Sequence, residues 1–227
     1  MKATQTIPTE IAPRVWRWTA RHPEWHGQHP WTHEVAGFAL GSDDALVLVD
    51  PLLPAGADAA AATLDRLDEL ARAARAVAIF VTIPYHVRSS EELRERFDAT
   101  LHGHPACARR LRRPDVLADV TGGSLPAGAD AIRIGSPLRQ ETPLFFPEHR
   151  ALAFGDAVVG VDGEARVWET VGKPSRARWY RDRFVPSLRP LLEVDAELLL
   201  FTHGPPVLRG GREALERGLA APPWHYR

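Results

Sequence analysis

Four short apolar runs, each followed closely by a polar residue, constrain this chain more than any other feature. Leu46-Val-Leu-Val49 stops at Asp50, Ile79-Phe-Val-Thr82 is followed by His86 and Arg88, Leu152-Ala-Phe-Gly155 stops at Asp156, and Leu198-Leu-Leu-Phe-Thr202 stops at His203. Runs this short and this uniformly apolar read as strands covered on both faces rather than as helices. Between them lie helical patterns. Ala57 to Ala74 carries Leu64, Leu67, Leu70 and Ala71 at helical spacing, and Ser89 with Glu92 has the form of a capping box before a helix reaching Phe97. Further helices are expected from Pro105 to Leu111, from Ser175 to Leu192 with a break at Pro186, and from Gly210-Gly211 through Ala220.

Strands are expected at Glu34 to Leu40, Ala45 to Val49, Val77 to Thr82, Thr100-Leu101, Ala131 to Ile134, Leu144 to Phe146, Ala151 to Phe154 and Leu198 to Phe201. Two pairs form hairpins, one around Gly41-Ser-Asp-Asp44 and one around Pro147-Glu-His-Arg150. A hairpin first and alternation with helices afterwards indicate a layered α/β protein with a mixed sheet. In such sheets functional groups collect where strands end and loops begin. One domain spanning 1–227 is expected, with residues 1–33 as a Trp-, His- and Pro-rich loop region.

Composition narrows the partners. With 28 basic and 29 acidic residues the net charge is -1, so a nucleic-acid partner would need a locally segregated basic face rather than bulk charge, and none is expected. Lys2 and Lys173 are the only lysines, so 26 of the 28 basic residues are arginine, the cation suited to bidentate pairing with carboxylates. Cys107 is alone, which excludes an internal disulfide. The longest apolar stretch, Ala76 to Pro84, falls far short of the roughly 20 residues of a membrane helix. A small-molecule ligand or substrate and a cytoplasmic setting are the expectation; nothing here indicates an oligomeric state. No GxSxG nucleophile elbow and no phosphate loop occurs, and Thr121-Gly-Gly-Ser124 lacks the lysine and the helix that a phosphate loop requires.

Taken in order, Ala45-Leu-Val-Leu-Val-Asp50, Phe80-Val-Thr-Ile-Pro-Tyr-His-Val-Arg-Ser89, Ala151-Leu-Ala-Phe-Gly-Asp156 and Leu200-Phe-Thr-His-Gly-Pro-Pro-Val207 resemble the metallo-β-lactamase superfamily from about Val35 to Ala220. The resemblance implies a four-layer αββα sandwich. In that family a strand-end aspartate is followed by a Thr-HxHxDH motif, a further metal histidine, a Gly-Asp whose carboxylate bridges two metals, and a last His-Gly. Asp50, Asp156 and His203 match the first, the bridging and the last positions. The central motif is eroded. Read without a gap, Ile83, Tyr85, Val87 and Arg88 stand where its three histidines and aspartate belong. Shifted by one residue, His86 takes the second histidine position, Pro84 the first, Arg88 the aspartate and Ser89 the third. The next ligand would fall near Gly135-Ser-Pro-Leu138, where no histidine occurs.

At most His86, Asp156 and His203 remain, too few donors for a two-zinc site with its bridging nucleophile. Two expectations follow from the resemblance. In the first, the pocket holds no metal: Arg88, as a fork of donors, replaces the lost metal charge beside Asp156 and Glu141, and the cavity binds a small molecule. In the second, one divalent ion (zinc, iron or manganese) sits between His86, Asp156 and His203 and hydrolyses a small ester, lactone, thioester or amide. The catalytic candidates are then His86, Arg88, Asp156 and His203, with His86 or His203 as general base and Arg88 facing the oxyanion. Glu141, Trp25 and Trp31 are candidates for lining the substrate. His22, His26, His29 and His33 have metal-like spacing, but Pro23, Gly27 and Pro30 interrupt any helix, so the segment reads better as an aromatic loop at a pocket mouth.

Overall fold

A computed structural model describes residues 5–27, 31–135, 140–169 and 174–225. The first sheet has the order of the chain itself. It consists of β1 (Thr9–Ala12), β2 (Val15–Arg21), β3 (Glu34–Gly41), β4 (Ala45–Val49), β5 (Ala76–Val81), β6 (Thr100–Gly103) and β7 (Leu117–Asp119). Strands β1 to β4 pair antiparallel, and β4 to β7 pair parallel. The change of direction follows from the connections. Ser42 Oγ accepts from the amides of Asp44 and Ala45, which closes the tight β3–β4 turn, whereas β4–β5 and β5–β6 cross over through α1 (Ala57–Arg72) and α2 (Ser90–Phe97).

The second sheet is built from β8 (Asp130–Ala131), β9 (Leu144–Phe146), β10 (Ala151–Phe154) and, after an intervening two-stranded ribbon β11 (Val158–Val161) and β12 (Glu164–Val167), β13 (Leu198–Phe201). Between β12 and β13 the chain runs through α3 (Pro174–Trp179), a wide π turn at Tyr180–Phe184 and the short α4 (Val185–Ser187) that contains Pro186; α5 (Gly211–Ala220) closes the fold. Strand β10 pairs parallel with β13.

Three apolar layers make this a sandwich. Phe38, Val47, Val49 and Phe80 of the first sheet meet Leu144, Phe146, Ala153 and Leu200 of the second in the central layer. Leu46, Ile79 and Leu101 pack against Leu67 and Leu93 of α1 and α2 on one side, and Leu152, Phe154 and Phe201 pack against Phe184, Leu188 and Leu215 on the other. Helices outside, sheets inside: the αββα arrangement expected from the resemblance is present. Because β4 and β5 are parallel, as are β10 and β13, the residues following these four strands are delivered by C-terminal strand ends.

Several details differ from the sequence reading. Residues 9–21, read as part of an N-terminal loop region, are two strands: Val15 to Arg21 pairs along its whole length with β3, and Trp18 is fully buried with Nε1 donating to the Leu52 carbonyl. An aromatic-rich segment suits a strand once its rings have a core to enter. The Ser89–Glu92 capping box does not form; Ser89 Oγ accepts instead from the Leu53 amide, tying the loop after β4 to the start of α2. Pro105–Arg110 is a 3-10 turn rather than a helix, and the strand expected at Ala131 to Ile134 is confined to Asp130–Ala131.

Candidate functional site

The site grows from Asp50. It follows β4 in the left-handed region at φ 47°, a conformation that costs a non-glycine residue energy and that persists where surrounding contacts hold it. Its Oδ1 accepts from the Thr82 amide at 2.8 Å, and its Oδ2 accepts from the hydroxyls of Thr82 and Thr202. One carboxylate thus joins the ends of β4, β5 and β13. The same Oδ2 lies 2.9 Å from His86 Nδ1. That bond fixes the ring so that its other nitrogen, Nε2, faces Asp156 Oδ1 at 3.2 Å. His203 Nε2 reaches the same oxygen at 3.3 Å.

Three residues from β5, β10 and β13 ends therefore converge: one ligating atom each from His86, Asp156 and His203 lies within 4.8 Å of the others. Both histidines are almost fully buried, and the Asp156 side chain is 17% exposed. Burial raises the Asp156 carboxyl pKa, but the His86 and His203 imidazoles overcome it and hold the group well below the usual carboxylate range. For His86, burial and the Arg88 charge oppose protonation, and the Asp156 and Asp50 carboxylates outweigh them, so its pKa is raised. Burial is the stronger influence on His203 and lowers its pKa in spite of Asp156.

Arg88 does not do what the metal-free expectation required. Its Nη1 donates to the carbonyls of Asp50 at 3.1 Å and Ala36 at 3.5 Å, and no ion pair joins it to Asp156. Arg88 stands at φ 42°, in the left-handed region, and its guanidinium is engaged by backbone carbonyls of β3 and of the residue after β4. Burial lowers the Arg88 pKa while Asp50 and Asp156 counter this, and the guanidinium still lines the cavity.

Glu141, read as a substrate contact, is buried beneath the site. Its Oε1 accepts from the amides of Gly155 and Ala157 at 3.0 Å each, so it holds the turn that presents Asp156. Glu141→Ala leaves these two buried amides without their acceptor, and a loss of about 3 kcal/mol is expected in chemical denaturation. Trp25, expected to line the substrate, is not among the cavity walls; its indole Nε1 donates to the Trp31 carbonyl at 2.8 Å and so positions Trp31, which is. His29 and residues 136–138, where the family's next metal histidine would fall, lie outside the described residues.

A cavity of about 820 Å³ opens over the triad, with Trp31, Trp168, Leu52, Val87, Tyr85 and Arg88 among its walls. Trp31 and Trp168 set their rings 5.8 and 5.4 Å from the His203 ring. Trp168, Thr82 and Thr202 were not singled out from the sequence, although both threonines sit in the apolar runs that end at the site. His203 is held from behind: Gly160 N–H donates to its carbonyl, and Gly204 at φ 87° lets the two backbones touch.

The donor set fits one divalent ion. Asp156 Oδ1 is buried and makes no hydrogen bond, although two imidazole nitrogens lie 3.2 and 3.3 Å away. Donors bound to zinc at about 2.0–2.1 Å in a tetrahedron are about 3.3–3.4 Å apart; the two edges at Asp156 are close to this at 3.2 and 3.3 Å, and the third lies within 4.8 Å. His86 is oriented by a carboxylate on its far nitrogen, as metal-bound histidines commonly are. Asp50 is engaged with Thr82, Thr202 and His86, and no second cluster of His, Cys, Asp or Glu donors occurs among the described residues.

Sandwich, strand-end site and aromatic-walled cavity together define a protein of metallo-β-lactamase fold. Solved structures bear this out across nearly the whole chain. The chain is similar to a metallo-β-lactamase from Erythrobacter litoralis, with 18% identity, TM-score 0.63 and 94% of each chain covered. It is similar to the metallo-β-lactamase FIM-1 from Pseudomonas aeruginosa in its mono-zinc form, at 14% identity, TM-score 0.62, covering 97% of this chain and 98% of that one. It also matches the chemotaxis sensor ODP from T. denticola, at 12% identity, TM-score 0.57, covering 94% and 92%. No family model matches the sequence, and neither does any curated protein sequence. No helix of the described residues is long and apolar enough to cross a membrane.

Proposed function

We propose that the protein is a hydrolase with a single divalent metal ion, zinc in the first place, held by His86, Asp156 and His203, and that it cleaves a small ester, lactone, thioester or amide. The observation that carries the reading is the buried Asp156 oxygen set between two imidazole nitrogens without a hydrogen bond to either. A bound ion would supply Lewis acidity and an acidified water at neutral pH. The chain's own groups do the rest. Asp50 keeps the His86 tautomer with Nε2 toward the site, Trp31 and Trp168 limit water around the reacting bond, and Arg88 offers a fixed positive charge to the developing oxyanion. The solved relatives support the class of chemistry, since FIM-1 is described in a mono-zinc form.

The test is turnover of a panel of nitrophenyl esters, lactones and thioesters, with loss of activity on chelation and recovery on adding zinc. Activity that survives full chelation would contradict metal dependence. Arg88→Ala should lower kcat/KM about 100-fold, the scale of removing one oxyanion donor, without weakening zinc binding; equal loss of both would place Arg88 in the metal site instead.

A second reading has its own observation. A charged His86, 2.9 Å from Asp50 and 3.2 Å from Asp156, would balance both carboxylates together with Arg88 and leave a metal-free pocket for a small ligand. It predicts a ligand that raises the melting temperature without being turned over.

A further inference from the structure

Among the described residues, His22 is the one cavity-lining histidine outside the triad. It begins the β2–β3 connection, and its backbone is pinned there: its amide donates to the His33 carbonyl at 2.8 Å and its carbonyl accepts from the Trp25 amide at 3.1 Å. The ring is held as well. It packs edge-to-face with Trp31, with centroids 5.0 Å apart and planes at 84°, and Trp31 in turn packs on His203. Across this ring chain His22 and His203 face the same space.

The tautomer follows from one hydrogen bond. His22 Nδ1 accepts from the Glu24 amide at 3.3 Å, so in a neutral ring the proton is on Nε2, which becomes a donor. The ring is neutral at ordinary pH, because burial and the nearby Arg88 charge push its pKa down to about 4. A neutral imidazole donor cannot neutralise an anion, yet it can fix where an acceptor oxygen lies. Arg88 supplies the charge in the same cavity, and Trp31, Trp168, Leu52 and Val87 offer apolar surface.

We infer that His22 is a substrate-binding residue whose Nε2–H donates to a carboxylate or carbonyl oxygen of the bound molecule, and that the cavity takes small acyl compounds or carboxylates with an apolar or aromatic body. The inference rests on the reading of this cavity as the substrate site. Metal binding does not enter it: the arrangement of donor, cation and apolar wall is complete without an ion.

Phenylacetate is the probe, added to the full chain after chelation, with tryptophan fluorescence as the signal because Trp31 and Trp168 line the cavity. Saturable binding is expected, about tenfold weaker in His22→Ala and restored to within a few-fold in His22→Gln, which keeps an N–H donor. Zinc affinity, measured separately by chelator competition, should be the same in all three proteins. Equal phenylacetate affinity in His22→Ala and wild type would overturn the inference. So would wild type that fails to bind phenylacetate, or a His22→Ala protein that loses zinc, which would make His22 a metal ligand. Wild type that binds phenylacetate through His22 but never binds zinc would uphold the inference and overturn the metal-dependent function.

Discussion

Asp156→Asn is expected to abolish zinc-dependent stabilisation while leaving the metal-free protein folded. The substitution keeps the shape of the side chain and removes the one anionic donor of the three, the oxygen that both His86 Nε2 and His203 Nε2 approach. With zinc at 100 times its Kd, wild type should gain about 2.7 kcal/mol of stability, and the variant none at the same concentration. Zinc affinity should fall by more than the roughly 10–100-fold that follows loss of a group bonded to a ligand, which is the effect expected for Asp50→Asn through His86. The order Asp156 above Asp50 separates a ligand from the residue that orients a ligand. Thermal unfolding with and without zinc measures both, and equal effects of the two substitutions would remove the distinction.

The second large effect lies behind the site. A Cβ on Gly160 would stand 2.0 Å from the Pro205 carbonyl oxygen and 2.9 Å from the Phe201 ring, and a Cβ on Gly204 would stand 1.9 Å from the Gly160 oxygen. Backbone oxygens on both sides cannot swing away as a side-chain tip can. Gly204 also holds φ 87°, where an L-residue is strained in addition. Gly160→Ala should cost about 4 kcal/mol or more in chemical denaturation, in the range reserved for core disruption. It should weaken zinc binding as well, because the Gly160 amide holds the His203 carbonyl. An unchanged denaturation midpoint would contradict the close packing of β11 against the His203 turn.

Most of the sandwich was legible because its central strands are uniformly apolar and end on polar residues. Strand β4, α1, the β9–β10 hairpin, β13 and α5 lie within a residue or two of their expected limits. Strands β1 and β2 were not, since Pro13 and the histidines beyond them mask an aromatic strand whose burial comes only from β3 and the core around Trp18. The β11–β12 hairpin did carry a local signal: Asp162-Gly163, both at positive φ, is the pair that favours a tight two-residue turn.

The site divides in the same way. His86, Asp156 and His203 could be picked out because order along the chain and strand ends are sequence properties, and the structure does bring them together. What Arg88, Glu141 and Trp25 touch is not such a property. Arg88 turns on two backbone carbonyls, Glu141 on two amides of a turn 14 and 16 residues away, and Trp25 on a single bond to the Trp31 carbonyl. The surplus of arginine, which suggested a guanidinium in place of a metal, is spent instead mainly at the surface, in pairs such as Arg96 with Asp68 and Arg150 with Asp195. Such exposed pairs contribute little each.

The most direct test is the metal content of the chain itself, measured by elemental analysis after saturation with zinc and removal of the unbound ion. One zinc per chain in wild type and none in Asp156→Asn is the predicted result. Two ions per chain, or none in wild type, would contradict a single-metal site at His86, Asp156 and His203.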